Sequence, residues 1–245
     1  MTFVEQKFKL IDLDTVDSTN SHAMNLIREG KAHDGMAILA RHQTNGKGQR
    51  GKVWVDEPGE NINCSFIVQP VYYGLTNPFH LAALTACALR KVIEATIQHP
   101  VQIKWPNDIY VNDKKAAGIL IESITRGSEW QWAVIGFGVN VNQRSFHPDL
   151  PNPVSLRQLA GKSFDIKRLA EDCLNILWRE LNHKTFSEIF TSYNKYLYKR
   201  NQEITLQHKE EIFTEILSGV DENGSLLLEG DILPAFRTGE VTWIH

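Results

Sequence analysis

Residues 104 to 122 read Lys-Trp-Pro-Asn-Asp-Ile-Tyr-Val-Asn-Asp-Lys-Lys-Ala-Ala-Gly-Ile-Leu-Ile-Glu. The run 101–105 alternates in polarity and stops at Pro106, which has no N–H for a central ladder. Pro106-Asn107-Asp108 has turn chemistry, 109–111 is a short β-prone run, and Asn112-Asp113 is a second turn. Lys115 then leads into Ala-Ala-Gly-Ile-Leu-Ile, the texture of a buried strand. Gly118 falls inside that strand, where a ligand or another backbone has room to approach. The stretch therefore predicts a tight hairpin flanked by an acid, Asp108, and a base, Lys115. A solvated surface hairpin would account for any such pattern in general. The order Lys-Trp-Pro-Asn-Asp is too particular for that reading.

Moving toward the N-terminus, 43–54 reads Gln-Thr-Asn-Gly-Lys-Gly-Gln-Arg-Gly-Lys-Val-Trp. Gly46, Gly48 and Gly51 alternate with Lys47, Gln49, Arg50 and Lys52. Glycine lets backbone N–H groups turn toward an anion, and Lys and Arg add charge, so the loop suits a phosphate. It lacks the spacing of a P-loop, and the strand-like stretch after it is unlike a dinucleotide fingerprint. A flexible polar loop is the plainer alternative. Residues 8–13 alternate as a strand. Ser18-Thr19-Asn20 then precede a helical pattern with Ala23, Met24 and Ile27 on one face and Gly30 as a stop. Those three residues are explained by an N-cap, and a helix N-terminus also binds polar ligand atoms. Toward the C-terminus, 130–141 reads as a core strand containing Gly136, Gly138 and Asn140.

Taken together these motifs resemble biotin protein ligases (biotin–[acetyl-CoA-carboxylase] ligases). The resemblance rests on Lys-Trp-Pro-Asn-Asp followed by Lys-x-Ala-Gly-Ile-Leu, and it extends over essentially the whole chain. It implies that Ser18, Thr19, Asn20 and Gln43 meet the ureido ring of biotin and that Trp54 packs on it. Gly118, Gly136 and Gly138 would let the ligand approach, and Asn140 would lie near the adenine. The loop 46–52 is similar to the family's Gly-Arg-Gly-Arg-x-Gly-Arg adenylate loop, so Gly46, Lys47, Gly48, Gln49, Arg50 and Gly51 would close over the adenylate. Lys47, Gln49 and Lys52 stand where that pattern has arginine. Lysine keeps charge without the bidentate fork, and Gln49 has no charge. Lys115, with Lys47 and Arg50, would serve the phosphate, and Asp108 would orient the incoming lysine or a metal-bound water.

The implied reaction is activation of biotin by ATP, with Mg2+, to biotinyl-5′-AMP, then transfer to a lysine of a biotin carboxyl carrier domain. The implied protein has no permanently bound cofactor and no protein-held metal, and the resemblance allows a homodimer. A lipoate–protein ligase shares the chemistry but not the glycine and basic loop. A non-catalytic biotin-binding sensor could dispense with Lys115 or Asp108, and both are present. Some family members carry an N-terminal helix-turn-helix domain. The few residues before the first strand leave no place for one, so DNA is not an expected partner.

The totals agree. The chain has 245 residues, 42% hydrophobic and 22% charged, with formal net charge −3, which excludes a general nucleic-acid footprint. Cys64, Cys87 and Cys173 are far apart and read as buried thiols of a reducing compartment. The nine histidines show no zinc spacing. With no signal peptide and no apolar run long enough to span a membrane, the expectation is a cytoplasmic protein. A helix is expected over 78–97, an irregular proline-containing stretch over 143–161, and two further helices over 165–181 and 186–198. After residue 199 the texture changes to short strands around the turn Asp221-Glu222-Asn223-Gly224. The short strands suggest a small barrel-like module, and the resemblance implies the whole fold as α+β: a mixed, mainly antiparallel sheet flanked by helices, class II synthetase/biotin ligase-like, over residues 1–199, with a small SH3-like β-barrel over 200–245.

Overall fold

The computed structural model describes residues 8–230 and 235–244. The elements are, in order, β1 (Lys9–Val16), α1 (Thr19–Arg28), β2 (Met36–Gln43), β3 (Asn61–Val68), α2 (Pro78–Ile97), β4 (Gln102–Lys104), β5 (Asp108–Val111), β6 (Lys114–Arg126) and β7 (Glu129–Asn140). Then follow α3 (Leu156–Ala160), α4 (Ile166–His183), α5 (Phe186–Lys195), β8 (Glu203–His208), β9 (Glu211–Val220), β10 (Leu226–Leu228), β11 (Ala235–Phe236) and β12 (Val241–Ile244).

The stretch 104–122 folds as its sequence predicts. Strands β4, β5 and β6 form an antiparallel meander at one end of a seven-stranded sheet of order β1-β2-β3-β7-β6-β5-β4. Asn112 and Asp113 both take positive φ (49° and 60°), the geometry of a two-residue turn that matches strand twist. At the other end β1 and β2 run parallel, because α1 crosses between them; the other neighbours in this sheet are antiparallel.

The pleat assigns alternate residues to opposite faces. On β3, Ile62, Cys64, Phe66 and Val68 enter the main core beneath α2 and α4, while Ile67 joins a smaller cluster under α1 with Ala23, Met36, Ile38 and Val134. Asn63 and Ser65 share the face of Ile67 but lie beyond the cover of that cluster, and both are buried. That polar strip is where the site forms. All three cysteines are free and buried, and burial pushes the Cys87 thiol up to about 11 and the Cys173 thiol to about 12.

Two expectations need correction. The stretch 143–161 is not wholly irregular: Ser155 and Gln158 make a reciprocal capping box that starts α3. More important, the C-terminal strands do not close into an SH3-like barrel. They form a five-stranded antiparallel sheet of order β11-β10-β9-β8-β12, and its two edges, β11 and β12, are not paired with each other among the described residues. Closure needs consistent tilt and stagger around every strand. Here the two-residue β11 supplies little ladder, and the sheet buries its apolar face another way. Leu206, Leu217, Leu226, Phe236 and Val241 belong to the same hydrophobic cluster as α2 and the large sheet. Trp105 Nε1 donates to the Gly224 carbonyl at 2.9 Å, and the Asn194 side chain brackets Val220, donating to its carbonyl and accepting from its N–H.

Helices α2 and α4 are tied by one buried carboxylate. Burial pulls Glu180 up, but Lys184 at 2.6 Å, Lys91 at 3.4 Å and Arg179 at 3.4 Å outweigh it, and its carboxyl ends below the usual range. A depressed carboxylate contributes stability above its unfolded-state value and loses it as pH falls through the folded one. The melting temperature of Glu180→Gln is therefore expected to lie below that of the parent at pH 7, with the gap closing as pH falls below about 4.5. Melting curves across that range, with a gap independent of pH, would remove the assignment. No described helix is long and apolar enough to cross a membrane.

Candidate active site

Ser18 caps α1 and places Thr19 and Asn20 in its buried first turn. They face Asn63 and Ser65 on β3 and Gln43 at the end of β2. Thr19 donates to Gln43 Oε1 from both its backbone N–H (2.8 Å) and its hydroxyl (3.1 Å). Gln43 Nε2 donates to Asn63 Oδ1 (3.2 Å). Ser65 Oγ lies 2.8 Å from Thr19 Oγ1 and 2.5 Å from Asn20 Oδ1, and Asn20 Nδ2 donates to Glu122 Oε2 at 2.8 Å. The result is a buried polar floor to a cavity that opens to solvent.

Strand register builds the rest. Asp108, Gly118, Gly138 and Asn63 are successive partners across β5, β6, β7 and β3. The neighbouring row is Leu120, Gly136 and Ser65. The glycines open space for protein side chains. A Cβ on Gly138 would overlap the Trp54 indole, and one on Gly136 would overlap the Asn20 amide. A Cβ on Gly118 would sit 3.2 Å from Lys115 Cε and 3.3 Å from the Trp54 ring. Trp54 thus lies over the glycine row, its Nε1 donating to Asn63 Oδ1 at 3.1 Å.

Lys115 reaches back toward β5. Its Nζ is 2.7 Å from Asp108 Oδ1 and 5.9 Å from the Trp54 ring centre. The Asp108 contact is a close, partly exposed ion pair. The basic loop is itself a small hairpin: Lys47 bridges Val53, Gly48 N–H donates to Lys52 O at 2.7 Å, and Trp54 N–H to Gly46 O at 2.9 Å. Arg50 and Gly51 form its tip with positive φ.

Of the residues singled out from sequence, Ser18, Thr19, Asn20, Gln43, Lys47, Gly48, Gln49, Trp54, Lys115, Gly118, Gly136 and Gly138 line this one cavity. Asp108 joins it through Lys115. Gly46 packs under Trp54 and Gln43. Asn140 lies outside the lining and donates to the Lys115 carbonyl at 3.2 Å and the Val154 carbonyl at 3.3 Å, so it holds the Lys115 backbone. Arg50 and Gly51 are also outside it; Arg50 rests against Gly239 in the turn before β12, where any side chain would collide with it. Sequence reasoning passed over Asn63, Ser65 and Glu122, and also Asn107, which lines the cavity and donates to Ile119 O at 2.6 Å. The signal was available: Asn61, Asn63 and Ser65 recur at period 2 in a strand buried along its length.

Chemically, the cavity joins two ends. One offers buried neutral donors and acceptors beside an indole. Lys47 lies at the rim beside that floor, 3.9 Å from Glu122, the acceptor for Asn20, and the other end offers Lys115.

The family model for the biotin/lipoate A/B protein ligase family matches residues 13–140. The chain belongs to the biotin/lipoate A/B protein ligase family. Its relatives include the bifunctional ligase/repressor BirA of Bacillus spizizenii, 31% identical over 90% of this chain and 69% of that protein. Another is the biotin–[acetyl-CoA-carboxylase] ligase of Paracoccus denitrificans, 29% identical over 91% of this chain and 97% of that one. Among solved structures, the biotin protein ligase of Aquifex aeolicus in complex with biotin and ATP superposes with a TM-score of 0.82 at 26% identity, covering 96% of this chain and 98% of that one.

Proposed function

We infer that the chain is a biotin–protein ligase that makes biotinyl-5′-AMP from biotin and ATP and transfers biotin to a lysine of a biotin carrier domain. The observation that carries this reading is the buried polar floor, Thr19, Asn20, Gln43, Asn63 and Ser65, at one end of a cavity that has Lys115 at the other. A cyclic urea offers both N–H and C=O to such a floor. The dithiolane ring of lipoate offers neither and would leave buried polar groups unpaired, which is the strongest basis for rejecting an analogue.

In the first step a biotin carboxylate oxygen attacks the α-phosphorus, the bond to the bridging oxygen of the β-phosphate breaks, and pyrophosphate leaves. Phosphoryl transfer gains mainly from positioning and charge stabilisation. Lys115 supplies the charge where carboxylate and phosphate meet, held there by Asp108. The N–H groups of the 46–51 loop, with Lys47 once it leaves Glu122, cover the phosphate and exclude water from the anhydride. In the second step the carrier amine attacks the acyl carbon, the bond to the phosphate oxygen breaks, and AMP leaves. The amine must lose a proton, since its ordinary pKa is about 10.4, and Asp108 accepts it.

A magnesium ion fits these residues. Magnesium keeps most of its waters and binds mostly through phosphates, so it asks for few protein ligands. Asp108, the partly exposed carboxylate beside Lys115, would hold it, and the bound ion would neutralise phosphate charge.

The test is the intact mass of a biotin carrier domain after incubation with the protein, ATP, magnesium and biotin, with lipoate and a lipoyl domain in parallel. A gain of one biotin in the first tube alone is expected. A gain with lipoate would overturn the substrate, and binding of biotin without any gain would favour a sensor.

Gln49 lines the cavity without charge. Gln49→Arg is expected to retain the adenylate better, lowering biotinylation of bystander lysines on added albumin several-fold without slowing carrier modification. Unchanged bystander labelling would rule this out.

A further inference from the structure

Asp56 follows the basic loop and takes no part in the reaction as described above. Its side chain is 1% exposed, and burial holds its carboxyl above the usual range, against the opposing pull of Asn63 and of His42 at 3.9 Å. A buried carboxylate is a costly group to keep, and its surroundings show what it does. Asn63 Nδ2 donates to Asp56 Oδ2 at 2.7 Å. On the other side, Asn63 Oδ1 accepts from Trp54 Nε1 at 3.1 Å and Gln43 Nε2 at 3.2 Å.

A carboxylate only accepts and an indole N–H only donates. Between these two groups the Asn63 amide has one permissible orientation, although its O and N are nearly the same size. Its oxygen then requires an N–H from Gln43, which turns Gln43 Oε1 to the Thr19 N–H, a group that only donates. At the far end Glu122 fixes Asn20 in the same manner, accepting its Nδ2 and leaving Oδ1 inward. Two carboxylates therefore set the direction of every amide in the floor. The inventory leaves Gln43 a second N–H and Asn20 Oδ1 a second lone pair, both on residues that line the cavity.

We propose that Asp56 is a positioning residue for biotin: it fixes Asn63, and through it Gln43 and Trp54, in the one arrangement that presents a donor and an acceptor to the ureido ring. This rests on the biotin reading of the site. Asp56 acts at the ring end of the cavity, away from Lys115 and the phosphate, so its removal should alter biotin recognition and spare the chemistry.

The experiment is steady-state carrier biotinylation by the full chain, varying biotin and ATP separately, for the parent, Asp56→Ala and Asp56→Asn. Asp56→Ala removes the acceptor, and the KM for biotin is expected to rise by about 100-fold, with kcat at saturating biotin and the KM for ATP within about threefold of the parent. Asp56→Asn can still accept from Asn63 Nδ2 and is expected to recover most of the loss. Asp56→Ser, with a smaller acceptor, takes the place of the alanine variant where that fails to fold, with the same split and a smaller rise. A biotin KM unchanged in the alanine or serine variant overturns the proposal. So does an equal loss in Asp56→Ala and Asp56→Asn, or a fall in kcat with KM unchanged. A parent protein that leaves the carrier unmodified overturns the ligase reading itself, and the proposal with it.

Discussion

Lys115→Ala is expected to lower biotin-dependent exchange of pyrophosphate into ATP by about 1,000-fold, the scale seen when a single preorganised charge or donor is taken from a developing anion. The Kd for biotin, by calorimetry without ATP, should change far less. The asymmetry follows from where the residue sits. Its backbone is pinned at the start of β6, donating to Asn152 O at 2.7 Å and accepting from Val154 N–H at 2.9 Å and from Asn140 Nδ2 at 3.2 Å. Its side chain is turned away from the polar floor, lying over Gly118 toward Asp108 at 2.7 Å. In the proposed reading the floor holds biotin's ring, so little ring affinity is expected to depend on Lys115. Charge builds at the other end, in the transition state, where its loss is felt most. Lys115→Arg keeps the charge but has to fit a planar fork beside Gly118 and Asp108, so it should recover only part of the rate. Normal exchange by Lys115→Ala would exclude it from adenylation.

The hairpin that carries Lys115 was legible because its determinants are local. Pro106, the Asn112-Asp113 pair and the apolar run 116–121 specify turns and strands without help from the rest of the chain. The helix over Pro78–Ile97 was legible for the same reason, its apolar face recurring at helical spacing. What the residues of β3 face was not. Period 2 places Asn63 and Ser65 on a common side, but only the packing of α1 and the course of the 43–54 loop make that side the polar floor of a cavity and not a second core. Gly136 and Gly138 could be read as openings. Whether an opening admits a ligand or a neighbouring side chain depends on Asn20 and Trp54, which are remote in sequence. The C-terminal strands could be counted, but not their closure, because a barrel depends on its first and last strands meeting. Phe236 and Val241 instead bury themselves in the cluster shared with α2. Arg50 was legible as loop charge, whereas its contact with Gly239 joins residues from opposite ends of the chain.

That dependence of two glycines on two side chains leads to the second large effect. Gly136→Ala and Gly138→Ala are each expected to raise the biotin KM by about 100-fold, since small displacements of positioning groups cost that much. At Gly136 the added methyl would overlap the Asn20 amide, which has nowhere to go: Ser65 holds its oxygen at 2.5 Å and Glu122 its nitrogen at 2.8 Å. At Gly138 the methyl would displace the Trp54 indole and break its bond to Asn63. Overpacking of this kind costs about 1–3 kcal/mol, within the margin of an ordinary domain, so both variants should fold and melt only a few degrees lower. A double substitution separates collision from general damage. Asn20→Ala alone loses the amide. If Gly136→Ala acts by pushing that amide aside, adding it to Asn20→Ala should cost almost nothing more, because the atoms it would strike are gone. Full additivity of the two losses would mean that Gly136 matters for something other than the room it gives Asn20, and a biotin KM unchanged in either glycine variant would mean that the ring does not depend on the geometry of this floor.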